Sequence, residues 1–186
     1  MKPIKNWNNI APSGSFSRLQ AGGYVVKITE VIDHDDKEYL ELLYDIAEGP
    51  EAGRFTDPFY ADKPYAHRFS RFYTDRSIGD FRGFIQAIDA SNGTKFDEEF
   101  SKAKGFREQQ LVGKLVGIVL REEEYLTNRG DIKTKLEVSS VMSIDRIREG
   151  KFTVPDVKPL KEKPEAGMKP APEVPFANIS DEDIPF

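Results

Sequence analysis

The chain has 186 residues, 38% hydrophobic and 11% aromatic, which is material for one core of ordinary size with tails. It contains no cysteine, so disulfides and thiolate metal sites are excluded and a cytoplasmic setting is expected. The start MKPIKNWNNIAPSGSF has no apolar signal region, and no run approaches the roughly 18 apolar residues of a membrane span.

The formal net charge of −5 is unevenly spread. Residues 155–186 hold seven acidic and four basic side chains, whereas 54–84 hold six Arg or Lys against four Asp, together with nine of the 21 aromatics. Charge therefore has to be read by segment.

Residues 1–20 read as a polar arm in which Trp7 sits among Asn6, Asn8 and Asn9. That Trp either stacks on a ligand ring or covers the end of the domain. GYVVKITEVID alternates with period two and predicts a strand, DHDDK a turn, and EYLELLYDIAEG a second strand with Leu40, Leu42, Tyr44 and Ile46 on one face. After the breaker GPEAG, RFTDPFY predicts a third strand, placed at an edge because Pro58 cannot donate to a ladder.

Ile78, Phe81, Ile85 and Ile88 recur at spacings of three and four, with Gly93 at a stop position, and predict an amphipathic helix. LVGKLVGIVLREEEYL and DIKTKLEVSSVMSI predict a second hairpin, turning at Asn128, Arg129 and Gly130. Six prolines between Pro155 and Pro175 predict an extended, disordered linker over 155–180, ahead of the acidic tip 181–186.

Three strands, a helix and two strands is the order of the OB-fold, a five-stranded Greek-key barrel that binds oligonucleotides. The expectation is a mainly β domain over 21–154 of that kind, with one helix between the third and fourth strands and a disordered C-terminal tail.

The stretch FYADKPYAHRFSRFYTDR interleaves rings with cations, the pairing that single-strand binders use to stack bases and hold phosphates. The candidate contacts are Arg54, Phe55, Tyr60, Lys63, Tyr65, Arg68, Phe69, Arg71, Phe72, Tyr73 and Arg76; of Tyr60, Tyr65, Phe69, Phe72 and Tyr73, at most half could fit a barrel core. Phe72 and Tyr73 lead because basic residues flank them. Arg129, Lys133 and Lys135 of the second hairpin either line the same path or are simply solvated.

Two acidic stretches offer other chemistry. Asp33, Asp35, Asp36 and Glu38 with His34 have the hard ligands of a divalent metal, and a metal-dependent nuclease or junction resolvase is one alternative. Carboxylates crowded in a turn are more often turn formers, and Glu122 to Tyr125 read as a solvated hairpin face. With two histidines and no Cys, zinc or nucleophilic catalysis has little support. GPEAG lacks the Lys and spacing of a phosphate loop. No catalytic residue, metal or cofactor is expected, and a non-enzyme is the favoured reading. A second alternative is a non-catalytic adaptor that binds proteins.

The tip DEDIPF resembles the C-terminal peptide of bacterial single-stranded DNA-binding proteins, which also follows a flexible linker. The body, through EYLELLYDIAEGPEAGRF, FRGFIQAIDASNGTKFD, LVGKLVGIVLREEEY and GDIKTKLEV, is similar to the single-strand-binding proteins of phages and prophages of Gram-positive bacteria. The resemblance covers most of residues 20–155. It implies an OB-like fold, sequence-independent binding of single-stranded DNA in the bacterial host cell, and recruitment of replication, recombination or repair proteins by the tail. Asp181, Glu182, Asp183, Ile184, Pro185 and Phe186 would carry that docking, Phe186 and Ile184 filling a small apolar pocket and the acids meeting a basic rim. A dimer or tetramer is left open.

Overall fold

The computed structural model describes residues 18–101 and 106–160. Trp7 and its Asn neighbours, and the tip 181–186, lie outside the described residues. The five strands are Gly22–His34 (β1), Tyr39–Ile46 (β2), Arg68–Phe72 (β3), Leu115–Leu126 (β4) and Ile132–Met142 (β5). They form one antiparallel sheet in the order β3-β2-β1-β4-β5. The helices are Ile78–Asn92 (α1), Phe96–Ser101 (α2) and Ile144–Arg148 (α3). The fold is mainly β, as expected, with two helices rather than one between β3 and β4.

Alternation decides the core. On β2, Leu40, Leu42, Tyr44 and Ile46 are all buried, as their period predicts. They meet Val26 and Ile28 of β1, Val116, Ile118 and Leu120 of β4, and the apolar stripe of α1, where Phe81, Phe84, Ile85 and Ile88 are buried. Helix α1 stops at Gly93, whose φ of 64° is left-handed and whose N–H reaches Asp89 O at 2.8 Å. Among the described residues no ladder joins β3 to β5. Arg71 of β3 and Ser139 to Val141 of β5 instead border one cavity of about 440 Å³ against α1.

The third strand differs from the sequence expectation. Residues 54–60 are two 3₁₀ turns, and the strand begins only at Arg68. The local chemistry explains it. Asp57 is extended (ψ 135°) and its carboxylate accepts the Phe59 N–H at 2.8 Å, while Pro58 occupies the first position of the turn, where its fixed φ fits and its missing N–H costs nothing. A third turn, Pro64–Ala66, also places Pro at its first position, without a side-chain cap.

The second face of the sheet is covered from the C-terminal side. A Cβ at Gly117 would fall 2.5 Å from Ile147, and one at Gly23 would fall 2.5 Å from the Phe152 ring, so both glycines permit a close approach. Order continues into the Pro-rich segment. Lys158 pairs with β4 as a parallel bridge, its N–H donating to Glu122 O and its carbonyl accepting from Glu124 N, each at 2.9 Å. Its ammonium lies 2.6 Å from Glu123 and 3.1 Å from Glu137.

Candidate nucleic-acid interface

The connection between β2 and β3 is built on Asp45, the buried charged residue of the sheet. Its carboxylate accepts the N–H of Ile46 at 2.8 Å and that of Phe55 at 2.9 Å, which pins the first 3₁₀ turn beneath the end of β2. Phe55 is thereby driven inward, stacked on His67 at 4.9 Å and edge-on to Tyr44 at 5.6 Å. Tyr60 packs edge-on to Phe55 at 5.0 Å, and Phe59 edge-on to Tyr60 at 5.1 Å. A buried ring thus supports a half-buried ring, and that ring supports one that is 52% exposed. Tyr65 follows at 64% exposure.

These rings border a groove of about 490 Å³ whose far wall is Thr134, Lys135 and Leu136 of β5. Three cations line it, and a fourth, Lys63, sits over the Phe59 ring. Arg18 donates to the carbonyl and hydroxyl oxygens of Thr134, both at 2.9 Å. Arg54 pairs with Glu51 and donates to the Tyr60 hydroxyl at 3.2 Å, fixing the ring's tilt. The Lys63 ammonium sits 3.8 Å from the centroid of Phe59, a cation–π contact, and 3.2 Å from Asp62. Lys135 lies 3.1 Å from Glu123. Exposed aromatic faces, nearby guanidinium and ammonium groups and a concave shape are the ingredients that hold a flexible polyanion with planar rings.

Of the sequence candidates, the groove collects Arg54, Phe55, Tyr60, Tyr65 and Lys135, with Lys63 over its edge. Phe55 and Phe69 are core rings, 9% and 7% exposed, and support the platform instead of offering a face. Arg68 and Phe72 lie on the other face of β2–β3. Arg68 pairs with Glu41 at 3.2 Å, and Phe72 packs on Tyr39 at 5.1 Å, which stacks on His34 at 4.4 Å.

Arg71 points inward over Phe69 and Phe84, where burial lowers its guanidinium to about 10 against the opposing pull of Asp80. Tyr73, one residue past Phe72 and so on the opposite side, donates to Asp33 at 2.8 Å. Its hydroxyl is pushed up to about 12 by burial and then by the Asp33 carboxylate. Phe72 and Tyr73, paired in the sequence reading, are therefore separated. Arg76, Arg129 and Lys133 are exposed outside the groove.

Sequence reasoning missed Phe59 and Arg18. Phe59 sits behind Pro58 in the turn that was read as a strand. Arg18 reaches a residue 116 positions away, which nothing local announces. The acidic loop carries no metal geometry: among the described residues no three His, Asp or Glu side chains are placed to share an ion. Among the described residues no helix is long and apolar enough to cross a membrane. Comparison with protein-family models and with curated proteins found no match.

Proposed function

We propose that this protein binds single-stranded DNA, without sequence preference, in the groove between the β2–β3 connection and β5. The observation that carries the reading is the convergence of Phe59, Tyr60 and Tyr65 with Arg18, Arg54 and Lys135 on one concave surface, with Lys63 held over the Phe59 ring. Rings stack on any base and cations meet any phosphate, so neither contact reads sequence. The reading takes the sheet as an OB-type barrel whose β3–β5 seam is filled by α1. Its support is the order β3-β2-β1-β4-β5 and the cavity that both edge strands border.

The ion pairs refine the expected electrostatics. Arg18, Arg54, Lys63 and Lys135 each have a carboxylate partner, Arg18 in Glu122 at 3.6 Å, so phosphate binding exchanges one anion for another instead of neutralising a bare cation. The resemblance adds the wider role: DNA replication or recombination in a phage or prophage context, with Asp181 to Phe186 recruiting partner proteins.

The test is fluorescence anisotropy of a labelled oligothymidylate over a range of salt. Tighter binding to single strands than to duplex is expected, with a log–log salt slope of about −3 or shallower for the four cations at about −0.7 per contact on single strands. Binding that is absent, or independent of salt, contradicts the proposal. Recruitment is tested separately: Phe186→Ala leaves oligonucleotide affinity unchanged and removes binding to replication proteins, and unaltered partner binding contradicts the docking role.

A further inference from the structure

At the other end of the β1–β2 hairpin lies a second groove, of about 570 Å³, that the DNA reading leaves unused. Leu40, Phe81 and Ile85 form its floor, exposed by 3%, 6% and 1%. Its walls keep large apolar side chains in water: Ile78 is 53% exposed and Phe100 is 42% exposed, the latter stacked on Phe106 at 4.3 Å. Open apolar surface of this kind, walled and concave, is the usual mark of a docking site.

The rim is acidic. Asp33, Asp97 and Glu108 border the groove against one cation, Arg82. Arg82 is already committed to Asp97 through two hydrogen bonds, of 2.8 and 3.1 Å, which leaves Asp33 and Glu108 uncompensated among the lining residues. The adjoining turn adds Asp35, Asp36 and Glu38 against Lys37. The raised Tyr73 hydroxyl reports the same field, since after burial and the Asp33 hydrogen bond it is the carboxylates of Asp33, Asp35 and Glu38 that oppose its ionisation. Phosphates are repelled from such a place, and an apolar body carrying cations is attracted.

The geometry points to this groove as the docking site for a basic amphipathic helix of a partner protein. Ile78 and Ile85 are seven residues apart on α1, roughly 10 Å, so the groove accepts two turns of a helix laid alongside. Apolar anchors at spacings of three, four or seven would enter between Ile78 and Phe100, and flanking Lys or Arg would meet Asp33 and Glu108. This surface is separate from the DNA groove and does not depend on it.

The test uses the full chain and two synthetic peptides of about four helical turns, sharing leucines at helical spacing, one flanked by Lys and the other by Glu. The Lys peptide is expected to bind and to shift the amide resonances of Ile78 to Ile85 and of Phe106 to Glu108, while the Glu peptide does not bind. Asp33→Asn with Glu108→Gln keeps an acceptor for Tyr73 and is expected to weaken the Lys peptide about tenfold, as is Ile78→Ser at an exposed position. Oligonucleotide affinity stays unchanged in both variants, which separates failure here from failure of the DNA reading. Equal binding of the two peptides, binding of neither, or shifts confined to other residues overturns the inference. So do shifts of these same amides on adding oligothymidylate, or on raising protein concentration alone, the mark of a second copy in the groove.

Discussion

The two grooves have similar volumes, about 490 and 570 Å³, and opposite chemistry. In the first, exposed Phe59 is supported edge-on by Tyr60 and the groove is lined by cations. In the second, exposed aliphatic and aromatic side chains stand inside a fence of carboxylates. Both are anchored on β2, the first beside Tyr44 to Ile46 and the second at Leu40, so a few residues of one strand separate a surface suited to a polyanion from one that repels it. Apolar exposure alone therefore does not say what binds. The charge on the rim does.

The largest effect expected to sharpen this contrast comes from the rings. Phe59→Ala with Tyr65→Ala should cost about 1–3 kcal/mol of oligonucleotide binding for each ring that stacks, and Phe100→Ser should cost nothing measurable. If Phe100→Ser weakens DNA binding as much as the ring pair does, the two grooves are not distinct. A smaller gain is expected from Glu51→Gln, which removes the competing Glu51 charge beside Arg54 and should strengthen DNA binding a few-fold at low salt, with the difference fading as salt rises.

Tyr73→Phe removes the bond to Asp33 and is expected to lower stability by less than about 1 kcal/mol in a denaturant titration while leaving DNA affinity intact. A large loss of affinity would return Tyr73 to the stacking surface. The least effect concerns the C-terminal strap. The hydrogen bond from Lys158, against the cost of burial, holds the Glu123 carboxyl down to about 2, well below the ordinary glutamate value. A depressed carboxyl stabilises the folded state at neutral pH and loses that contribution as pH falls through about 2. Hydrogen exchange should show the Lys158 and Glu124 amides losing protection in acid ahead of Leu120, and simultaneous loss along β4 contradicts a separable strap.

Much of the scaffold was legible because it rests on local periodicity. The Ile78 to Ile88 stripe, the Gly93 stop and the alternation of Leu40 to Ile46 each state their own burial. The third strand was not legible. RFTDPFY has strand-like composition, and only Asp57 as cap to Pro58 reveals a turn, while RFSRF becomes a strand through its register with Tyr39 to Leu43. For the site, composition picked out the aromatic and basic stretch but could not say which rings face out. That choice rests on Asp45, ten residues from Phe55, whose carboxylate sets the turn. The partners of the cations, Glu41 for Arg68 and Glu123 for Lys135, come from neighbouring strands, and the acidic groove needs Phe100 and Phe106 brought against α1. None of these pairings leaves a trace in local sequence.

Photo-crosslinking of the full chain to a 5-bromouracil oligonucleotide, with adducts mapped by mass spectrometry, tests the central claim most directly. Adducts at Phe59, Tyr60 or Tyr65, suppressed by salt, are the predicted result. Adducts concentrated at Phe100, Phe106 or Tyr73, with the β2–β3 connection unmodified, would contradict it.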